Sequence, residues 1–216
     1  MKRLILTCLI VLLVGCIQPK ANPKGQPKLH NGRAVVEIDT STGQATGFLT
    51  IRGYIITAGH AVQKGNEVEV EWFDKTKTQA RVKYTHELDY AFLKPNKIPK
   101  KATQLIPVRC CYPDDKGVYD SFGYPHGKRV SKQDGVISLG VTDMVPTFLS
   151  EPTWIRYFKN IKPGMSGAPL IRDGTRRVYG VLVMKRGSVA QAVPTKKINF
   201  TGWGAMGGET CEQNLK

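Results

Sequence analysis

From residue 33 onward the chain is a succession of short apolar stretches broken by turn residues, with little sustained helical periodicity. In Glu67-Val68-Glu69-Val70-Glu71-Trp72, polar and apolar positions alternate, which is the pattern of a half-buried strand. Strands are predicted over 34–38, 45–50, 54–57, 67–73, 79–84 and 90–94, and again over 118–123, 129–139, 153–158, 168–171, 178–184 and 189–193. Between the two sets, residues 95–107 hold Pro95, Pro99 and Pro107 and read as a connection between structural units. Strands, a linker and more strands predict an all-β protein of two packed antiparallel barrels. The first is expected over about 33–95 and the second over about 107–200.

Before this pattern begins, the chain reads differently. Lys2 and Arg3 precede an apolar run from Leu4 to Val14 that is too short for a comfortable membrane span. The run ends in Leu13-Val14-Gly15-Cys16, which resembles the lipobox of bacterial lipoproteins. The resemblance implies a signal peptide over 1–15, cleavage before Cys16, and diacylglycerol on the Cys16 thiol. Two or three acyl chains make such anchoring stable, whereas one leaves it reversible. Ile17 and Gln18 follow, with no aspartate after the cysteine. By resemblance this points to the outer membrane of a diderm bacterium, facing the periplasm. Residues 16–32 are then the lipidated cysteine and a flexible tether, of which a dozen residues reach about 20 Å as a coil.

Composition narrows the partners. The net charge is +15, from 32 basic and 17 acidic side chains, which favours contact with anionic surfaces. The basic residues are scattered, with only short clusters such as Lys196-Lys197 and no nucleic-acid-binding motif, so a solvated basic surface is expected and no nucleic acid partner. Beyond Cys16, the cysteines Cys110, Cys111 and Cys211 are disulfide candidates in an oxidising compartment. A bridge from one of the adjacent pair to Cys211 leaves one thiol over, and the sequence does not choose the pairing. Metal-ligand spacings such as C-x-x-C or H-E-x-x-H are missing, so no metal or cofactor is expected.

Three motifs then stand in a telling order. In Thr57-Ala58-Gly59-His60-Ala61-Val62 an apolar strand ends in a small-residue turn and a histidine. In Asp89-Tyr90-Ala91-Phe92-Leu93-Lys94 an aspartate heads an apolar strand. In Pro163-Gly164-Met165-Ser166-Gly167-Ala168-Pro169 a serine sits in a glycine-rich loop. Each motif alone is weak, since histidines and turn aspartates are commonly structural. Together they supply one chemistry. A serine hydroxyl needs a nearby imidazole to accept its proton during attack. A buried carboxylate fixes the imidazole tautomer and stabilises the imidazolium that forms. Backbone N–H groups, here of Gly164 and Ser166, hold the oxyanion of the tetrahedral intermediate.

The strings TAGH, DYAFLK and GMSGAPL resemble the three motif blocks of the trypsin/chymotrypsin-like serine proteases, and most closely their bacterial Deg/HtrA-like branch. The separations are 29 residues (89 − 60) and 77 (166 − 89). Gly123-Tyr124-Pro125 and Ala192-Val193-Pro194 look like further family landmarks. The resemblance covers about residues 33–200. It implies a chymotrypsin-like fold of two packed six-stranded antiparallel β-barrels, with a catalytic triad of His60 and Asp89 on the first and Ser166 on the second. It also implies that Val183, Met184 and Lys185 form the edge that pairs with an extended substrate, and that Asn160 lies near the base of the primary specificity pocket. The expected partners are protein or peptide substrates and, through the lipid anchor, a membrane; the oligomeric state is left open.

The sequence departs from the family in places. Digestive-type enzymes carry an aspartate just before the serine, where it pairs with a new N-terminus; Met165 stands there, so activation of that kind is not expected. Ala168 replaces a common glycine, and the 50 residues after Ser166 leave no room for a PDZ-like domain (216 − 166). The glycine-rich tail 201–216 carries no readable role. An α/β-hydrolase order, serine before acid before histidine, is excluded because no histidine follows Ser166. The competing reading is a catalytically silent protease-like fold that binds partners in the envelope.

Overall fold

The computed structural model describes residues 30–40, 43–109, 111–113, 118–125, 131–140, 154–158, 161–186 and 189–200, with the backbone alone at 131–140, 154, 156–158, 184–186 and 189. Six strands form a closed barrel in the order β1-β2-β3-β6-β5-β4. They are β1 Val35–Thr40, β2 Gly43–Leu49, β3 Ile55–Ala58, β4 Glu67–Glu71, β5 Lys77–His86 and β6 Tyr90–Pro95. A second sheet follows, of β7 Ile106–Pro107, β8 Val118–Gly123, β9 Ser131–Gly140, β10 Trp154–Phe158, β11 Pro169–Arg172, β12 Arg177–Arg186 and β13 Val189–Pro194. Its order is β11-β8-β9-β10-β13-β12-β7, and β11 also pairs with β12. That last pairing returns the sheet on itself, so six of its strands form a ring and the two-residue β7 extends the edge of β12. The all-β architecture of two antiparallel units expected from the sequence is present.

Strand composition follows from what each face meets. In β4, Val68 and Val70 point into the barrel while Glu67 is exposed and Glu69 and Glu71 are partly so. In β5, Ala80 and Val82 point in and Gln79, Arg81 and Lys83 point out. These strands have one wet face, and their sequences alternate. By contrast β3, Ile55-Ile56-Thr57-Ala58, is buried throughout, as are the first four residues of β6. Ile55, Ala91 and Leu93 fill barrel one beside Val36, Leu49 and Trp72. Ile56, Tyr90, Phe92 and Phe48 face the other way, onto Val181, Val183, Val193, Ile198 and Phe200. The Phe92 and Phe200 rings meet edge to face at 5.4 Å. A strand between two apolar regions has no polar face, so its sequence runs apolar without alternation. A third cluster, including Tyr119, Ile155, Leu170 and Leu182, fills barrel two.

The connection over 95–107 is tighter at its end than a loose linker. Leu105 is buried, donates its N–H to Leu49 O at 2.9 Å and accepts from Ile51 N at 3.0 Å. Ile106 and Pro107 then run parallel to Arg177 and Val178 of β12. The segment therefore stitches β2 of one barrel to β12 of the other. A two-residue strand ending in proline is too short to show a period of two, which is why the pattern conceals it. The predicted leader, Cys16 and most of the tether lie outside the described residues, as do Cys110, Asn160, Cys211 and the tail from 201.

Candidate active site

β3 ends at Ala58 and a single 3₁₀ turn, Gly59–Ala61, carries His60 out of the barrel wall. Ala58 is paired with Tyr90, so this turn lies directly against the residue that opens β6. Gly59 donates its N–H to Asp89 O at 3.0 Å, and a Cβ on it would lie 3.1 Å from the Asp89 carbonyl carbon and Tyr90 N. A side chain on Gly59 would thus crowd the Asp89–Tyr90 backbone.

Asp89 occupies the left-handed region at φ 63°. Aspartate is among the few non-glycine residues that adopt this conformation readily. The turn is closed by Asp89 N donating to His86 O at 2.9 Å and by Leu88 N donating to His86 Nδ1 at 3.1 Å. The His86 ring stacks on Tyr90 at 4.7 Å. So presented, the Asp89 carboxylate holds His60 at two points. Oδ1 accepts the His60 backbone N–H at 2.6 Å, and Oδ2 lies 2.8 Å from His60 Nδ1. The His60 side chain is 51% exposed and that of Asp89 22%. The hydrogen bond that the ring donates to Asp89 raises the imidazole pKa above its ordinary value, against the opposing pull of burial. With Nδ1 engaged on the carboxylate, Nε2 is the basic nitrogen of the neutral ring.

Ser166 sits on the other barrel, in a turn framed by Gly164 at φ 92° and Gly167 at φ 90°. Within this turn Met165 N donates to Lys162 O, Ala168 N to Met165 O, and Gly167 N to Leu182 O at 2.6 Å. The N–H groups of Gly164 and Ser166 donate to nothing among the described residues. A Cβ on Gly167 would fall 1.9 Å from Thr46 O, 2.4 Å from Thr57 Oγ1 and 2.9 Å from Ala58 N. The residue after Ser166 therefore lies against the residue two before His60, and the two motifs meet across the barrel boundary.

Beside Ser166 opens a cavity of about 160 Å³ lined by Ile161, Lys162, Pro163, Met165, Leu182 and Val183, with no carboxylate among them. Of the predicted edge, Val183 lines this cavity; Met184 and Lys185 continue β12, paired with Gln191 and Ala190 of β13. On its other side β12 is paired with β11 only over Val178–Val181, so beyond Val181 that edge carries no strand among the described residues. Met165 is buried in the barrel-two core and lies against Gly123. His60 itself borders a second cavity, of about 200 Å³, with Asp39, Gln63, Asn66, Glu67 and Glu69. Thr46, which no sequence motif marks, is wholly buried and reaches the Ser166 turn. Its one signal was a polar residue inside the apolar run Ala45–Leu49.

Two β-barrels meeting along an apolar wall, with a His–Asp pair on one and a glycine-framed serine on the other, define the chymotrypsin-like class of serine hydrolases. A family model for the trypsin-like peptidase domain matches residues 45–181, and the chain belongs to that family. Over 177 residues it is 30% identical to the non-structural polyprotein 1A of mink astrovirus 1, a match spanning 77% of this chain and 17% of the polyprotein. The chain thus covers less than a fifth of that relative. The serine protease of a human pathogenic astrovirus superposes with a TM-score of 0.56 at 24% identity, covering 76% of this chain and 90% of that one. The active form of the Rv3671c protease of M. tuberculosis gives 0.63 at 19% identity, covering 76% and 77%. Both likenesses are of fold.

Proposed function

We propose that this chain is an active serine endopeptidase that cleaves protein or peptide substrates through a triad of His60, Asp89 and Ser166. The observation that carries the reading is the two-point hold of Asp89 on His60, with Oδ2 2.8 Å from Nδ1. It orients the ring and leaves Nε2 to take the Ser166 proton as Oγ attacks the scissile carbonyl. The N–H groups of Gly164 and Ser166, unengaged among the described residues, receive the oxyanion of the tetrahedral intermediate. The imidazolium, stabilised by Asp89, then protonates the leaving amine, and water repeats the sequence on the acyl-enzyme. The substrate segment before the scissile bond runs along Val183, Met184 and Lys185, with one side chain in the cavity beside Ser166, toward whose base Asn160 is assigned by family resemblance. The segment after it leaves past His60, along the cavity bordered by Asp39 and Glu67.

A fluorophosphonate probe tests this directly: the wild-type chain should be labelled, and Ser166→Ala and His60→Ala should lose labelling. Peptide turnover should fall by several orders of magnitude in each, with the double variant little worse than either single one. Undiminished cleavage by purified Ser166→Ala would sink the mechanism. Absence of wild-type labelling would favour the silent binding protein instead.

We further propose, on the lipobox-like Leu13-Val14-Gly15-Cys16, that the enzyme is lipid-anchored in a bacterial envelope through Cys16, on the periplasmic face of the outer membrane. Full-length protein expressed in a diderm bacterium with a labelled fatty acid should carry label and partition into membranes. Cys16→Ser should lose both, and label persisting in that variant would place the anchor elsewhere.

A further inference from the structure

The pairing of His60 with Asp89 is built within barrel one, whereas Ser166 belongs to barrel two, so catalysis needs a device that registers one on the other to a fraction of an ångström. The structure assigns that role to Thr46 of β2, whose side-chain hydroxyl we infer to be a positioning group for the nucleophile turn. The inference rests on the triad reading above.

Thr46 is fully buried, and its hydrogen bonds converge on the turn. Its N–H donates to Ser166 O at 2.8 Å. Its hydroxyl donates to Gly164 O at 2.6 Å and accepts the Tyr124 N–H at 3.0 Å. Its carbonyl accepts from Thr57 Oγ1 at 2.6 Å, inside barrel one and three residues before His60. One residue thus grips the carbonyls of Gly164 and Ser166 together. Those carbonyls flank the Met165–Ser166 peptide, whose N–H is one of the two donors left unengaged among the described residues. Holding both neighbouring peptides opposes the rotation that would turn this N–H away from the cleft. Gly164, at φ 92°, has no Cβ to resist such rotation by itself.

The surroundings are shaped to admit this contact. A side chain on Gly167 would collide with Thr46 O, and one on Gly123 would crowd Thr46 Oγ1 and Met165, each at 3.1 Å. The Gly123-Tyr124 landmark acquires a physical role here: glycine permits the approach, and the next N–H, on a buried tyrosine, completes the hydroxyl's bonding. Removing the hydroxyl leaves Gly164 O and Tyr124 N without the partner that Thr46 provides, while the backbone bond to Ser166 O survives. The expected effect is therefore a misplaced turn in a folded protein.

The test compares Thr46→Val, which keeps the β-branched shape and lacks the hydroxyl, with Thr46→Ser, which keeps the hydroxyl. Thr46→Val should lower kcat and the fluorophosphonate labelling rate by about 10- to 100-fold with KM changed by less than about twofold, because the turn is displaced and not the substrate cavity. Thr46→Ser should stay within about threefold of wild type on both measures. Rates are taken per active site titrated with the probe, so unfolded molecules lower the titre and not the rate. Should Thr46→Val fail to fold, Thr46→Ala against Thr46→Ser repeats the contrast with the γ-methyl absent from both. Wild-type rates in Thr46→Val, or equal losses in the hydroxyl-bearing and hydroxyl-lacking variants, would overturn the positioning role while leaving the protease reading intact. A wild-type chain that never labels would defeat the protease reading itself.

Discussion

The two turns that present the proposed triad are built on different principles. Asp89 and His60 are joined within one barrel, by adjacent ends of β3 and β6, and their contacts are backbone pairing plus a carboxylate clasp. Ser166 stands in a turn whose own barrel supplies the Leu182 bond but whose outward carbonyls are gripped by Thr46 of the other barrel. The first arrangement survives as long as barrel one does. The second depends on how two barrels sit against each other. Assembly of the site is therefore a property of the apolar wall between them, where Ile56 and Phe92 pack on Val181, Val183 and Phe200.

The contrast can be tested from both sides, and the largest effect belongs to the in-barrel pair. Asp89→Asn should slow turnover by about four orders of magnitude, because the amide favours the wrong imidazole tautomer and cannot stabilise the cation. The same variant should move the pH profile. Wild-type activity should rise with pH as His60 loses its proton, with a midpoint above the ordinary histidine value of about 6.5, since Asp89 holds the proton on. With that hydrogen bond weakened, burial acts alone and the residual activity should rise at a lower pH. A midpoint unchanged in Asp89→Asn would show that the carboxylate does not govern the ring.

On the serine side, Gly167→Ala should cost about 100-fold in the labelling rate, the scale of an ångström-sized misplacement. Its Cβ has nowhere to go beside Thr46 O, and φ of 90° is strained for alanine. Calorimetry should show a lower Tm as well. Labelling at wild-type speed would mean that the turn reaches its position without the close contact.

Phe200→Ala sharpens the comparison further. Phe200 is buried against Phe92 in the wall, so truncation should destabilise the fold by about 3–5 kcal/mol. If the wall registers the two halves, labelling per folded molecule should fall a few-fold while the His60 ring resonances stay in place. Loss of the His60–Asp89 hydrogen bond in that variant would contradict an independently built pair. The smallest effect concerns substrate choice. The cavity beside Ser166 holds Lys162 and no carboxylate among its described lining, so a cationic side chain would lose its solvation without gaining a partner. A peptide-library profile should favour small or medium apolar residues before the scissile bond, and a profile led by lysine or arginine would reject this.

Much of this could be read along the chain. Alternation in β4 marks a strand with one wet face, and the apolar runs of β3 and β6 mark strands, which the structure shows to be buried on both faces. His60 and Asp89 were legible because each sits at the end of such a run, where a polar residue must leave the apolar wall. Strand ends were less legible. β5 begins at Lys77 and runs to His86, beyond the expected 79–84, because cross-strand hydrogen bonds extend pairing into polar residues that hydrophobicity does not mark.

By itself the sequence determined the strand succession apart from β7, the two-barrel class and the residue types of the candidate site, since these depend on local periodicity and on the chemistry a side chain can carry. The tertiary structure decided how the barrels face one another, that Leu105 stitches them, and that Thr46 reaches from one to hold the serine turn of the other. Those contacts join residues up to 120 positions apart (166 − 46). Burial patterns report only that a residue is inside, and a threonine in an apolar strand looks the same whether its hydroxyl meets its own sheet or a partner barrel. Direction across an interface is set by packing, and packing is a property of the folded chain.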